Sequence, residues 1–442
     1  MDSDLGDLAA IRLDGELTAA PEALALAATD FGHIVARRPR AVLRPGSATD
    51  IAAVLRFAAE RGIPVVARGC GHSGSGQAQA RDGIVIDMTR LARIQDAGAD
   101  RVTVEAGATW ANVVRATSGH GRTPPVLTDY LGLSVGGTLS VGGLGGTSHR
   151  YGAQTDTVLA LEAVTADGRQ RRCSATEEPE LFHALLAGLG QCGVITRATV
   201  RLVAAPARVR RYKLYCPTAR HLIERQRLLL HEHRFDHLQG QILPGEQGWR
   251  YLLEAATYYT PPGDPDDQAA LTGLTADLDS ADIQDLPYWD FADCLADSEV
   301  VLRQTGEWWH PHPWSNLLLP DTATDGFLDR VLAGLTPADL GPAGLLLVYP
   351  FFTAPLGTPL FRAPNDAVAF LVAALRFAPP DNPESVGRMI TTNRRWYAQA
   401  RDLGGTSYPA STIPFRDWRD HYGPAWPALA AAKKRYGATI PG

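Results

Sequence analysis

The segment Arg68-Gly69-Cys70-Gly71-His72-Ser73-Gly74-Ser75-Gly76 limits the folds open to this chain more than any other stretch. Glycine lets a backbone approach a ligand closely, and successive N–H groups can converge on an anion. Gly69-x-Gly71-x-x-Gly74 follows the strand-like Ile63-Pro64-Val65-Val66-Ala67 and so matches the dinucleotide fingerprint. That fingerprint works only where a helix opens directly after the glycines and carries the pyrophosphate on its N-terminus. Here Gln77-Ala78-Gln79-Ala80-Arg81-Asp82-Gly83 leads to another strand, Ile84-Val85-Ile86-Asp87. A dinucleotide fold of that kind is excluded, and a backbone cradle of a different kind remains. Taken alone, a histidine between glycines reads equally well as a turn residue.

The elements around the loop narrow the choice. Ala41-Val42-Leu43-Arg44 is strand-like and ends at Pro45. Ser47-Ala48-Thr49-Asp50 supplies a capping-box-like start for a helix with Ile51, Val54, Leu55 and Ala58 at i, i+3, i+4 and i+7, and Gly62 closes it. Arg-Pro, capped helix, Gly-Ile-Pro strand and then Arg-Gly-x-Gly-His-Ser resembles the FAD domain of the vanillyl-alcohol oxidase and p-cresol methylhydroxylase type, and within that group cytokinin dehydrogenase. The resemblance implies an α+β fold, a two-domain flavoprotein with a PCMH-type FAD-binding domain and an α+β substrate domain whose antiparallel sheet is covered by helices. It implies that His72 bonds covalently to the 8α-methyl carbon of FAD, with Arg68, Gly69, Cys70, Gly71, Ser73 and Gln77 around the cofactor.

Composition agrees with an enzyme of this sort. At 442 residues and 45% hydrophobic content the chain can bury a large core and make two domains. A net charge of -6 with no long basic run leaves no electrostatic footprint for nucleic acid. No stretch reads as a membrane span, and the acidic start Met1-Asp2-Ser3-Asp4-Leu5-Gly6-Asp7 lacks the basic and apolar regions of a signal peptide. The five cysteines, Cys70, Cys173, Cys192, Cys216 and Cys294, are scattered, with no Cys-x-x-Cys spacing. Neither a zinc site nor a disulfide framework is expected, and a cytoplasmic location is. The texture changes around Ala204-Ala205-Pro206-Ala207, after which come most of the tryptophans and the strands Tyr251 to Tyr259 and Gly344 to Pro350. The expected division is an FAD-binding domain over 1–204, a substrate-binding domain over 205–408 and a return to the FAD domain over 409–442.

Two further glycine clusters belong to the same picture. Val135-Gly136-Gly137-Thr138-Leu139-Ser140-Val141-Gly142-Gly143-Leu144-Gly145-Gly146 cannot be a helix or a regular strand for long. It is either a close backbone approach to something flat or anionic, or a buried crossing of two loops. The resemblance implies the first, with Gly136, Gly137 and Gly143 along the flavin and its phosphates and the hydroxyls of Thr138 and Ser140 as donors. Gly188-Leu189-Gly190-Gln191-Cys192-Gly193-Val194-Ile195-Thr196 departs from the family's Gly-Leu-Gly-Gln-Phe-Gly-Val-Ile-Thr only at Cys192. By position, the backbone of Val194 and Ile195 holds the adenine side.

Oxidising a C–N or C–O bond by hydride transfer to flavin N5 needs a group in hydrogen-bond reach of the departing N–H or O–H proton. Leu127-Thr128-Asp129-Tyr130-Leu131 resembles the family's Thr-Asp-Tyr-Leu motif, which makes Asp129 the base and puts Thr128 beside the cofactor. By itself an aspartate after threonine is equally an Asx turn or a helix cap. In the berberine-bridge type a cysteine occupies this turn and gives a second flavin bond; Tyr130 stands there instead. Pro311-His312-Pro313-Trp314-Ser315-Asn316-Leu317 resembles Pro-His-Pro-Trp-Leu-Asn, implying that Trp314 and Asn316 close the cavity, although core packing is the other reading of Trp314. Tyr408, ahead of Phe415-Arg416-Asp417-Trp418 and His421-Tyr422-Gly423, aligns with a substrate-contacting tyrosine, and Pro409 replaces the leucine after it. In His237-Leu238-Gln239-Gly240-Gln241, Gln239 replaces a glutamate that accepts from the substrate purine, keeping an acceptor but losing the charge. Its other reading is a strand end at the surface. The end Ile440-Pro441-Gly442 lacks the family's following glutamine and phenylalanine tail, which moves one flavin contact.

The expected function is FAD-dependent oxidation of a cytokinin-like secondary amine, with oxygen or a quinone-like electron acceptor. The alternative keeps the cofactor and oxidises an alcohol, sugar or natural-product intermediate; Gln239 and Pro409 speak for it. A flavin-storing or ligand-binding protein is the weakest reading, because His72 and Asp129 are both present. Fold analogy alone does not choose a substrate.

Overall fold

Short β-branched runs bounded by glycine and proline become the strands of the first half of the chain. The computed structural model describes residues 11–246, 248–274, 281–409 and 418–438. The Met1 to Asp7 start, Phe415-Arg416-Asp417 and Ile440-Pro441-Gly442 lie outside these. Glu16–Thr18, Ala41–Arg44, Ile84–Asp87 and Val65–Arg68 lie side by side in that order, and the last three are parallel. Parallel neighbours need a crossover, and helix Ala48–Arg61 supplies one. Its stripe of Ile51, Val54, Leu55 and Ala58 is buried, and Gly62 ends it at φ +64°. The helix start differs from the capping box expected. Ser47 Oγ donates to Asp14 at 2.8 Å, while buried Asp50 accepts the backbone N–H groups of Asp14, Gly15 and Gly46, each at 2.8 Å. Three donors from neighbouring chain outweigh the one a local cap offers. The glycine loop runs from Val65–Arg68 to Ile84–Asp87 with no helix between them. A second, antiparallel sheet holds Ile94–Ala97, Arg101–Glu105, Gly193–Arg201, Val158–Thr165 and Gln170–Ser174 in spatial order.

The second half is an antiparallel sheet of eight strands. Their spatial order is Asp282–Pro287, Arg208–Cys216, Gly248–Tyr259, His237–Gly245, Leu345–Phe352, Val368–Leu375, Ser315–Pro320 and Thr406–Ser407. Successive side chains of a strand point to opposite faces. One face buries Tyr212, Leu238, Leu253, Val348 and Phe370 against Leu222, Phe327 and Trp396 of the helices Ala219–Glu232, Asp321–Ala333 and Pro383–Asp402. The other face looks onto the first half. The architecture is α+β in two domains.

The halves share an apolar core, in which Tyr288, Phe351 and Phe361 pack with buried residues of the first half, and polar contacts tie them further. Thr123 Oγ1 and Tyr288 OH are 2.9 Å apart, and Asp156 Oδ1 accepts from the N–H groups of Gly357 and Thr358 at 2.9 Å each. The His312 N–H donates to Gly32 O at 2.8 Å. At the far end of the chain, Tyr422, Leu429 and Tyr436 enter the hydrophobic core of the first half, and Lys433 donates to Gln191 at 3.2 Å. Between the halves lies a cavity of about 1010 Å³.

Candidate active site

The glycine loops form one wall of this cavity. Gly69, Cys70, Gly71, His72, Ser73 and Gln77 line it, as do Gly136, Gly137, Thr138, Ser140, Val194 and Ile195. The close approach is literal: a Cβ on Gly69 would lie 1.8 Å from Ser134 Oγ, and Gly71 has φ +72°. A wall without side chains, at a cavity at the upper end of small-molecule size, fits a long flat cofactor such as FAD with room beside it. Two expected residues do not reach the cavity. Arg68 donates to Thr29 O at 2.5 Å from behind the loop, and the Gly143 N–H, at φ +79°, donates to Tyr408 OH at 3.0 Å. They brace the loops from outside. The hydroxyls of Thr138 and Ser140 also differ from expectation. Thr138 accepts from Trp110 Nε1 at 2.8 Å and donates to Val135 O at 3.3 Å, and Ser140 donates to Gly136 O at 2.7 Å. In the short helix Val135–Leu139 and just after it, such hydroxyls reach the carbonyl of the preceding turn.

His72 sits in an aromatic nest. Its ring stacks on Phe31 at 3.9 Å, Phe31 stacks on His312 at 4.0 Å, and Tyr130 lies 5.1 Å from His72. His312 Nδ1 donates to Phe31 O at 2.8 Å, which fixes its tautomer. Burial pushes His72 down to about 3 and His312 to about 4. Both imidazoles are therefore neutral at ordinary pH, and His72 keeps the lone pair that a bond to an electrophilic carbon requires. Tyr130 OH donates to Glu299 at 2.7 Å, and Glu299 pairs with Arg303 at 2.7 Å.

Asp129 lines the same cavity and accepts a hydrogen bond from Tyr349 OH. Burial pushes its carboxyl up to about 6; the Tyr349 bond works against this and the nearby Glu254 adds to it. Burial and Asp129 itself hold the Tyr349 phenol well above its ordinary value. The pair is thus a permanent donor beside a carboxyl that titrates near neutrality, the condition a general base needs. Thr128, also on the cavity wall, donates to Tyr130 O at 3.1 Å.

The eight-stranded sheet roofs the site with alternate residues. Arg211, His237, Gln239, Gln241, Glu254 and Tyr349 make one part polar, whereas Leu345, Leu347, Leu371, Ala373 and Leu375 make the rest apolar. Trp314, Asn316 and Tyr408 line the cavity, and the Trp314 indole N–H has no partner among the described residues. Gln239 lines it too, but His237 Nε2 donates to its oxygen at 3.2 Å. The acceptor expected for a ligand is therefore partly engaged within the wall. Sequence reasoning missed Tyr349, Arg211 and Glu254. The signal for Glu254 was a single carboxylate inside Leu252-Leu253-Glu254-Ala255-Ala256, where strand alternation aims it to one face.

Comparison with known proteins adds sequence and fold relations. Residues 39–174 match the family model described as FAD binding domain, and 208–440 match that described as Cytokinin dehydrogenase 1, FAD and cytokinin binding. An uncharacterized oxidoreductase, open reading frame 5 of the fasciation locus of Rhodococcoides fascians, is 44% identical over 93% of this chain and 94% of its own. Cytokinin dehydrogenase 6 of Oryza sativa subsp. japonica is 34% identical over 98% of this chain and 91% of its own. Cytokinin dehydrogenase 3 of Arabidopsis thaliana is 32% identical over 96% and 88%. The crystal structure of 6-hydroxy-D-nicotine oxidase from Arthrobacter nicotinovorans superposes with a TM-score of 0.74 at 22% identity, covering 96% of this chain and 95% of that one.

Proposed function

The chain belongs to the cytokinin dehydrogenase family of FAD-dependent oxidoreductases, and from that premise we propose that it oxidises the C–N bond of a cytokinin-like secondary amine, with Asp129 as base. The observation that carries this reading is the Asp129–Tyr349 pair, held in one cavity with His72 between glycine loops and a roof that is polar in one part and leucine-lined in another. Bound FAD supplies the two-electron acceptor. The Asp129 carboxylate accepts the hydrogen bond of the substrate N–H and takes up its proton, while Tyr349 holds that carboxylate in place. The apolar part of the roof keeps water from the carbon that loses hydride, and the imine product then hydrolyses. The neutral imidazole of His72 is the point of covalent FAD attachment in the same proposal.

A second reading, oxidation of an alcohol or natural-product intermediate, has one observation in its favour. The oxygen of Gln239 already accepts from His237, so the position at which the resemblance implies a purine-binding glutamate offers only a neutral, partly engaged acceptor. Anaerobic mixing of the FAD-loaded protein with isopentenyladenine and, separately, with a panel of alcohols tests both. Bleaching of the yellow flavin by isopentenyladenine is expected; bleaching by an alcohol alone would reject the amine reading.

A further inference from the structure

The segment Asp30-Phe31-Gly32 clasps the first glycine loop on both sides of His72. The Phe31 N–H donates to Gly71 O at 2.9 Å and the Gly32 N–H to Ser73 O at 3.1 Å, so the residues before and after His72 are both held. The buried Asp30 carboxylate reaches further along the loop. Its Oδ2 accepts from Ser73 Oγ at 3.0 Å and from the Gly76 N–H at 2.6 Å. The two segments run so close that a Cβ on Gly32 would lie 2.0 Å from Gly74 O.

The ring of Phe31 does for the His72 side chain what these bonds do for its backbone. It stacks on the imidazole at 3.9 Å with an interplanar angle of 21°, and the ring of His312 stacks on Phe31 in turn at 4.0 Å and 11°. His312 also grips the segment directly. Its N–H donates to Gly32 O and its Nδ1 to Phe31 O, both at 2.8 Å, so the second half of the chain helps to fix the clasp. Among the described residues no hydrogen bond reaches the ring nitrogens of His72, and stacking is left to set the plane of its ring.

A nucleophile that must meet one carbon gains most from being held there in advance, and a misplacement of about 1 Å can slow such a reaction about 10²-fold. Attachment joins one imidazole nitrogen to the 8α-methyl carbon, with loss of the imidazole N–H and one methyl C–H. The two protons and two electrons so released pass to the isoalloxazine ring and from there to dioxygen, the oxidant, as hydrogen peroxide.

We propose that Asp30-Phe31-Gly32 is a positioning strap for flavin attachment: Asp30 and the strap backbone hold the loop around His72, and Phe31 sets the plane in which its imidazole meets the cofactor. This rests on attachment at His72 and names what holds that residue. Asp30 and Phe31 are positioning residues, because they act through His72.

The test uses the full chain, produced under limiting riboflavin, given excess FAD and acid-quenched over time. Yellow colour in the washed pellet measures attachment, and total FAD bound before quenching measures occupancy. Phe31→Leu keeps apolar bulk but loses the flat face, and at full occupancy it is expected to attach FAD about tenfold or more slowly than the parent. Asp30→Ala removes both bonds of the carboxylate and is expected to slow attachment likewise. Asp30→Asn keeps an oxygen for the same two donors and is expected to stay within about threefold of the parent. A segment that only stabilised the fold would lower the melting temperature and leave the attachment rate at saturating FAD unchanged, and that result overturns the proposal. If Phe31→Leu does not take up FAD, the two Asp30 variants decide, and an Asp30→Ala rate equal to the parent's overturns it. A colourless parent pellet removes attachment at His72 and the strap with it; failure of the strap alone shows instead as a yellow parent pellet matched by the variants.

Discussion

Asp129 and Tyr349 divide the work of one hydrogen bond: the phenol stays protonated and the carboxyl titrates. Replacing the carboxylate by an amide removes the proton acceptor and little else, so Asp129→Asn should slow flavin reduction on the order of 10²–10⁴-fold while FAD stays bound. Stopped-flow reduction at the parent rate would remove Asp129 from the mechanism. The carboxyl, raised by burial to about 6, must be ionised to act, so the reduction rate should rise with pH through that value. The Tyr349 bond favours the ionised form. Tyr349→Phe should therefore move the rising limb to higher pH, with a larger loss at pH ~6 than at pH ~8. Arg211, His237, Cys294 and Glu254 also line this part of the cavity, and loss of the Glu254 charge should move the limb the opposite way, to lower pH. Asp129 was legible in the sequence through a short motif. Tyr349 was not, because it lies 220 residues away and only the fold brings its hydroxyl there.

The two-residue period of a strand makes opposite predictions for adjacent side chains. Phe370 is fully buried on the helix-covered face of the sheet, whereas its neighbour Leu371 lines the cavity. Phe370→Ala should destabilise the protein by about 3–5 kcal/mol through a core cavity. Leu371→Ala should cost less in stability and instead raise the half-saturating concentration of an isoprenoid-bearing substrate. Denaturant midpoints beside flavin-bleaching titrations separate the two, and matched effects from both variants would contradict the assignment of faces. Helix Ala48–Arg61 shows what pattern alone can and cannot reach. The buried stripe and the Gly62 stop follow from spacing. The capping partner does not, because Asp50 turns to Asp14 and Gly15, residues that are remote in sequence and close only after the first strand has paired.

At the scale of the whole molecule, the cavity lies between two halves that share one apolar core and are tied further by polar contacts, and a cofactor held in that cavity adds its own contacts to the folded state. A ligand that binds only the folded state stabilises it in proportion to its concentration above Kd. His72→Ala should therefore release its flavin into the supernatant on acid precipitation and melt at a temperature that rises with added FAD. The parent protein should keep its colour in the pellet and melt independently of added FAD. Yellow colour in the pellet of the variant would refute attachment at His72. The sequence by itself determined the glycine cradle, the exclusion of a helix after it, the change of texture near Ala204 and the candidates His72 and Asp129. Each of these depends on residues within a few positions of one another, where spacing and backbone chemistry act directly. Only the tertiary structure decided that Tyr349 holds Asp129, that His237 donates to the Gln239 oxygen and that Phe31 stacks on His72. Those contacts join side chains on different strands and loops, and strand order and register, which no local pattern encodes, determine which of them share a face.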